Sequence, residues 1–149
     1  MKLSNQLEVS VDLTNQKVQF IGVARANSAI IIDCLPPLGD GQGYTPLELL
    51  LISLASCSGT TVLTLLRKMK KNISGLKVNA TGIRREQPPT SFEKITLEFI
   101  ISSEDVQSSE VEKAIKLTEE TYCPVWTMLK NNVEVIPEFR IVNSIAVIL

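Results

Sequence analysis

Apolar and polar residues alternate over residues 7–13, "LEVSVDL", the two-residue period of a half-buried strand. Asn15-Gln16 marks a turn, and "KVQFIGVA" (17–24) reads as the returning arm of a hairpin. The β-branched run "SAIIID" (28–33) predicts a third strand. The twelve residues "CLPPLGDGQGYT" then hold two prolines and three glycines, a long loop. Thr45-Pro46 opens a helix, with Glu48 in its first turn, running to about Lys71. Alternation returns at 75–86 and again at 92–102, separated by Pro88-Pro89, and predicts a second hairpin. Helical spacing of Val111, Ala114, Ile115 and Thr118 predicts a helix over 108–122. Pro124 interrupts it and starts a short helix, and 133–142 closes the pattern as a strand. The tail "NSIAVIL" is apolar enough to need cover. These elements predict an α+β fold: an antiparallel sheet with a long central helix, in a single domain spanning 1–149.

The central helix is the unusual element. No charge occurs from Leu49 to Leu66. That length reaches the lower limit of a membrane span. However, Ser53, Ser56, Cys57, Ser58, Gly59, Thr60, Thr61 and Thr64 make its second half too polar for lipid. A helix apolar nearly all round should instead be buried on most sides. A sheet covers one side, so a second helix or another subunit must cover the other.

Composition narrows the chemistry. The 149 residues carry a formal net charge of −1, which gives no footprint for nucleic acid or an anionic membrane. The start lacks an apolar h-region, and a cytoplasmic location is expected. There is no histidine, so Cys-His and Ser-His-Asp systems and His-based metal sites are excluded. Neither a metal nor a cofactor is expected. The three cysteines, Cys34, Cys57 and Cys123, form no Cys-x-x-Cys pair.

Each candidate residue carries a plain reading beside a sharper one. Mid-helix Cys57 is either an inert buried thiol or a reactive one, and reactivity needs a nearby cation to hold the thiolate. Cys123 stands just before a helix, where the dipole and free amides lower a thiol pKa; otherwise it is a filler beside Tyr122 and Trp126. Cys34, ahead of the Pro-Pro loop, reads as structural. Glu48 is a first-turn helix residue, or a carboxylate that holds an arginine beside a thiol. Arg25 is the odd charge in "FIGVARANSAIIID", either solvated at the hairpin's end or the activating cation.

The two cysteine contexts together bear a specific resemblance. "TPLELLLISLASCSGTTV" resembles the Pro-x-Glu-Leu-Leu-Leu…Ala-x-Cys segment of the OsmC/Ohr family, the osmotically induced and organic-hydroperoxide-resistance proteins. "ETYCPVWTML" resembles that family's second cysteine segment, and the likeness covers about residues 15–142. The resemblance implies an intertwined homodimer with sites at the interface. It further implies a thiol peroxidase of oxidative-stress defence that takes organic hydroperoxides. In such an enzyme Cys57 attacks the peroxide, Cys123 resolves it as a disulfide, Arg25 and Glu48 assist, and a thiol or dithiol reduces the product. One departure stands out: Leu47, not a glutamate, directly follows Pro46. That places the chain nearer the OsmC-like branch and keeps a second reading in view, a dimer that binds a hydrophobic small molecule at its interface.

Overall fold

The computed structural model describes residues 5–143, which form two compact units, one ending at Leu50 and one beginning at Leu51. In the first unit β1 (Ser10–Leu13), β2 (Phe20–Val23) and β3 (Ile30–Ile32) form an antiparallel meander in that order. Val11 pairs with Gly22, and Ile21 with Ile31. The Asn15 side-chain oxygen accepts from the backbone N–H of Lys17 and of Gln19 and so shapes the first turn. The expected half-burial of 7–13 is not found. The strand is shorter, every β1 residue is exposed, and Val9, Val11, Leu13 and Ile30 present apolar surface. Its alternation prepares a face for cover that this unit does not itself supply.

The loop after β3 is organised by one carboxylate. Asp33 is buried, and it accepts from the backbone N–H groups of Cys34 (2.8 Å), Asp40 (3.2 Å) and Gln42 (3.1 Å). Its carboxyl is held below the ordinary 3.8, first by the Gln42 N–H, against the opposing effect of burial. A folded-state pKa below the unfolded one adds stability that is present above the ordinary value and lost as pH falls through the folded value. The melting temperature should therefore fall as pH drops below about 4. Asp33→Asn should melt lower at neutral pH and flatten that acid limb. An unchanged limb in the variant would assign it to other carboxylates.

Helix α1 (Pro46–Lys68) starts with a reciprocal cap: the Thr45 N–H donates to Glu48 Oε1 at 2.8 Å, and the Glu48 N–H to Thr45 Oγ1 at 3.2 Å. It ends three residues before the expected Lys71. There the Lys71 N–H reaches the Leu66 carbonyl and the Lys70 N–H the Arg67 carbonyl, a Schellman closure. Lys70 sits at φ +65°, a position that suits glycine. Lys70→Gly should raise stability by about 0.5–1 kcal/mol in urea unfolding; a destabilised variant would contradict this account of the helix end.

The second unit centres on β5 (Phe92–Ser102), whose Ile95, Leu97, Phe99 and Ile101 are fully buried. It pairs antiparallel with β4 (Gly75–Arg84) on one side. On the other side β6 (Glu134–Val142) runs parallel to it, from Lys94 opposite Glu134 to Ser102 opposite Val142. The antiparallel sheet expected from the sequence is therefore mixed. The chain leaves β5, crosses through α2 (Ser108–Leu117), a π-helical turn (Thr118–Tyr122) and α3 (Pro124–Leu129), and returns in the same direction. A crossover of that length is what a parallel pair requires. Val111, Ala114, Ile115 and Thr118 all point into the core, as their spacing predicts.

From Leu51 onward α1 lies against β4. Leu54, Ser58, Gly59, Val62 and Leu66 form its buried stripe. A Cβ on Gly59 would come within 3.1 Å of Val78 Cγ2, so glycine is what allows this close approach. The remainder of the helix is only partly covered, and Ile52 is 48% exposed. By length and composition alone α1 could cross a membrane. Its hydroxyls are satisfied internally: Ser58, Thr60, Thr61 and Thr64 donate to the carbonyls of Leu54, Ser56, Cys57 and Thr60.

Candidate active site

Two of the five residues singled out above, Cys57 and Cys123, lie in the second unit. Cys57 sits half-buried midway along α1, and the Cys123 thiol lies within hydrogen-bonding reach of it. Cys123 is fully buried and caps α3. Its extended backbone (φ −87°, ψ 107°) turns the sulfur back over the helix start, where Sγ accepts from the Trp126 N–H at 3.4 Å. Pro124 favours that local shape, since it fits a helix's first turn and keeps the residue before it out of helical conformation.

The electrostatics of Cys123 overturn the local expectation. A helix start should lower its pKa, yet burial pushes the thiol up to about 11. The N–H groups of Trp126 and Val125 oppose that rise without cancelling it, and the hydrogen bond with Cys57 reinforces it. Cys123 therefore holds its proton. All three cysteines are free, and Cys34 begins the Asp33 loop in the first unit, its backbone N–H on that carboxylate. Asp33 itself had no place among the sequence candidates. The signal was faint: an acidic residue closing a β-branched run just before a Pro/Gly loop.

Glu48 and Arg25 belong to the first unit, and no ion pair joins them among the described residues. The Glu48 carboxylate serves the cap of α1, and hydrogen bonds from the backbone N–H and hydroxyl of Thr45 hold its pKa down. Arg25 is exposed in the β2–β3 turn at φ +55°, a turn tied by the Asn27 side chain to the Ala24 carbonyl at 2.8 Å.

A helix-borne thiol near a second thiol at a helix cap, on a mixed α+β framework without histidine, defines the class of site this chain carries. The chain belongs to the OsmC-like protein family, whose sequence pattern matches residues 39–138. It is 30% identical to Protein YhfA of Escherichia coli (strain K12) over 125 residues, 84% of this chain and 91% of that protein. The crystal structure of a hypothetical protein from Aquifex aeolicus VF5 is similar, with TM-score 0.82 and 28% identity over 93% of this chain and 98% of the other. An organic hydroperoxide resistance protein from Elizabethkingia anophelis shares the fold at TM-score 0.74 and 15% identity, over 95% of this chain and all of its own.

Proposed function

We propose that this protein is a thiol-dependent peroxidase for organic hydroperoxides. The observation that carries the reading is the paired thiols, one half-exposed on α1 and one buried at the α3 cap. The Cys57 thiolate attacks the peroxide, releases the alcohol and becomes a sulfenic acid; Cys123 then displaces water to form the disulfide. A protonated, buried Cys123 suits that order, because it does not compete for the peroxide and carries the proton the departing oxygen needs. A dithiol or small thiol restores the pair. The test is consumption of cumene hydroperoxide with a dithiol reductant. Sustained turnover supports the reading, and consumption at the rate of reductant alone removes it.

The nucleophile needs a cation, and Arg25 is the proposed one: an exposed guanidinium with no ion-pair partner among the described residues. Arg25→Ala should slow Cys57 oxidation at least about ten-fold at neutral pH. An unaltered rate would assign activation to another group. In this reading Glu48 acts through the start of α1, where its carboxylate is already engaged.

The working form is proposed to be a homodimer. Val11, Leu13, Ile30 and Ile31 on the β1–β3 sheet, and separately Ile52 on α1, are exposed apolar residues, and a second copy is the proposed cover. Sedimentation should give a dimer at micromolar concentration; a monomer would contradict this. A groove of about 500 Å³ beside α1, lined by Ile52, Leu63, Leu76 and Val78 together with Ser56, Thr60 and Arg67, favours the second reading, a hydrophobic small molecule held by a non-catalytic dimer. A co-purified ligand in native mass spectrometry, with thiols inert to hydroperoxide, would select it.

A further inference from the structure

The groove beside α1 follows one face of the helix. Ile52, Ser56, Thr60, Leu63 and Arg67 succeed one another at steps of three or four residues, which places them in a single row. From Ile52 to Arg67 that row spans roughly 22 Å at the rise of an α-helix. Leu76 and Val78 of β4 also line the groove, and all of these residues belong to the second unit. Its polar groups are few, and its hydroxyls are engaged. Those of Ser56 and Thr60 donate to the carbonyls of Ser53 and Ser56, and that of Ser74 donates to the Ser102 carbonyl. Arg67 is the exception: it is exposed, and no ion pair joins it to a carboxylate among the described residues. It stands at the C-terminal end of the row, where residues 73–75 line the same groove.

We infer that the groove takes a long-chain carboxylate of the fatty-acid class, its head group on Arg67 and its tail laid along α1 towards Ile52. The inference rests on the small-molecule reading of this groove and not on the peroxidase reading. Neither Cys57 nor Cys123 is among the lining residues, so the ligand is not placed as a substrate of the thiols. A planar guanidinium offers a carboxylate two parallel donors, and one cation at one end matches a single anionic head. The tail loses water against Leu63, Leu76 and Val78, and hydroxyls already turned to the backbone make no demand on it. The volume of about 500 Å³ is that of a small-molecule site, and the length of the row is the reach of an extended acyl chain.

The test is displacement of the neutral fluorophore N-phenylnaphthylamine from the full chain by hexadecanoate and by hexadecanol, in the wild type and two variants. Hexadecanoate should displace it more strongly than the alcohol. Arg67→Met, which keeps an apolar stem, should weaken hexadecanoate about five-fold and leave the alcohol unchanged, the worth of one exposed charge pair. Arg67→Lys should restore part of the loss. Thr60→Trp puts a large ring into the groove from an exposed position and should weaken both ligands. Acid and alcohol bound equally, with Arg67→Met indifferent, would overturn the carboxylate assignment and leave the small-molecule reading standing. Undiminished binding in Thr60→Trp would place the ligand outside this groove and overturn the site. A wild type that takes up neither fluorophore nor ligand contradicts the small-molecule reading itself. If Thr60→Trp then also lowers the sedimenting mass, the occupant is a second copy of the chain.

Discussion

Cys57→Ser is expected to lower thiol-dependent consumption of organic hydroperoxide at least about a thousand-fold, because a hydroxyl in this histidine-free setting has no base to activate it. The helix should tolerate the change: serine differs from cysteine by one atom, and α1 already accommodates serine at 53, 56 and 58. Loss of activity without loss of fold is thus the signature. Cys123→Ser should differ in kind. Its first oxidation should proceed, and the sulfenic acid on Cys57 should persist, since the residue that resolves it is gone. A Cys57→Ser protein with full activity would move the chemistry elsewhere in the chain.

Trp126→Ala should be the most costly single truncation near the thiols. Trp126 is among the largest fully buried side chains, and it anchors the short helix whose cap is Cys123. Truncating a buried tryptophan costs about 3–5 kcal/mol in transfer and cavity terms together. For a chain of this length that lowers the melting temperature by roughly ten degrees. The variant should also lose disulfide formation, because the N–H that holds Cys123 Sγ is carried by the residue the indole fixes in place. A drop of a degree or two in thermal unfolding would mean that α3 is held chiefly by other contacts.

Much of this architecture can be read along the chain, and the exceptions have physical causes. Val111, Ala114 and Ile115 of α2, with Thr118 at the start of the π-helical turn, mark one buried face because helical spacing places them on one side. The second hairpin was legible because alternation and a Pro-Pro break both frame it; β5 falls on the expected 92–102. The direction of β6 was not, since alternation records which residues point inward but not which neighbour a strand takes or in which sense. The burial of α1 was legible in part. Composition announces an apolar helix, yet the single chain covers only the stripe from Leu54 to Leu66.

The site divides the same way. Local sequence places Cys123 at a helix start, and it is there; it says nothing of the burial that raises the thiol's pKa instead of lowering it. Nothing in local pattern brings Cys57 and Cys123 together. That juxtaposition came from the family resemblance; in the structure the Cys57 side chain is among the groups that raise the Cys123 pKa. Glu48 shows the converse: Thr-Pro-x-Glu is a capping signature in its own right, and its geometry is that of a cap.

The most direct test of the central claim uses the reduced wild-type protein and one equivalent of an organic hydroperoxide, followed by thiol counting and disulfide mapping. Rapid loss of two thiols with a Cys57–Cys123 bridge is the predicted result. Both thiols still free after the hydroperoxide has been offered would contradict the account, leaving Cys57 a quiet cysteine in the core of a long helix.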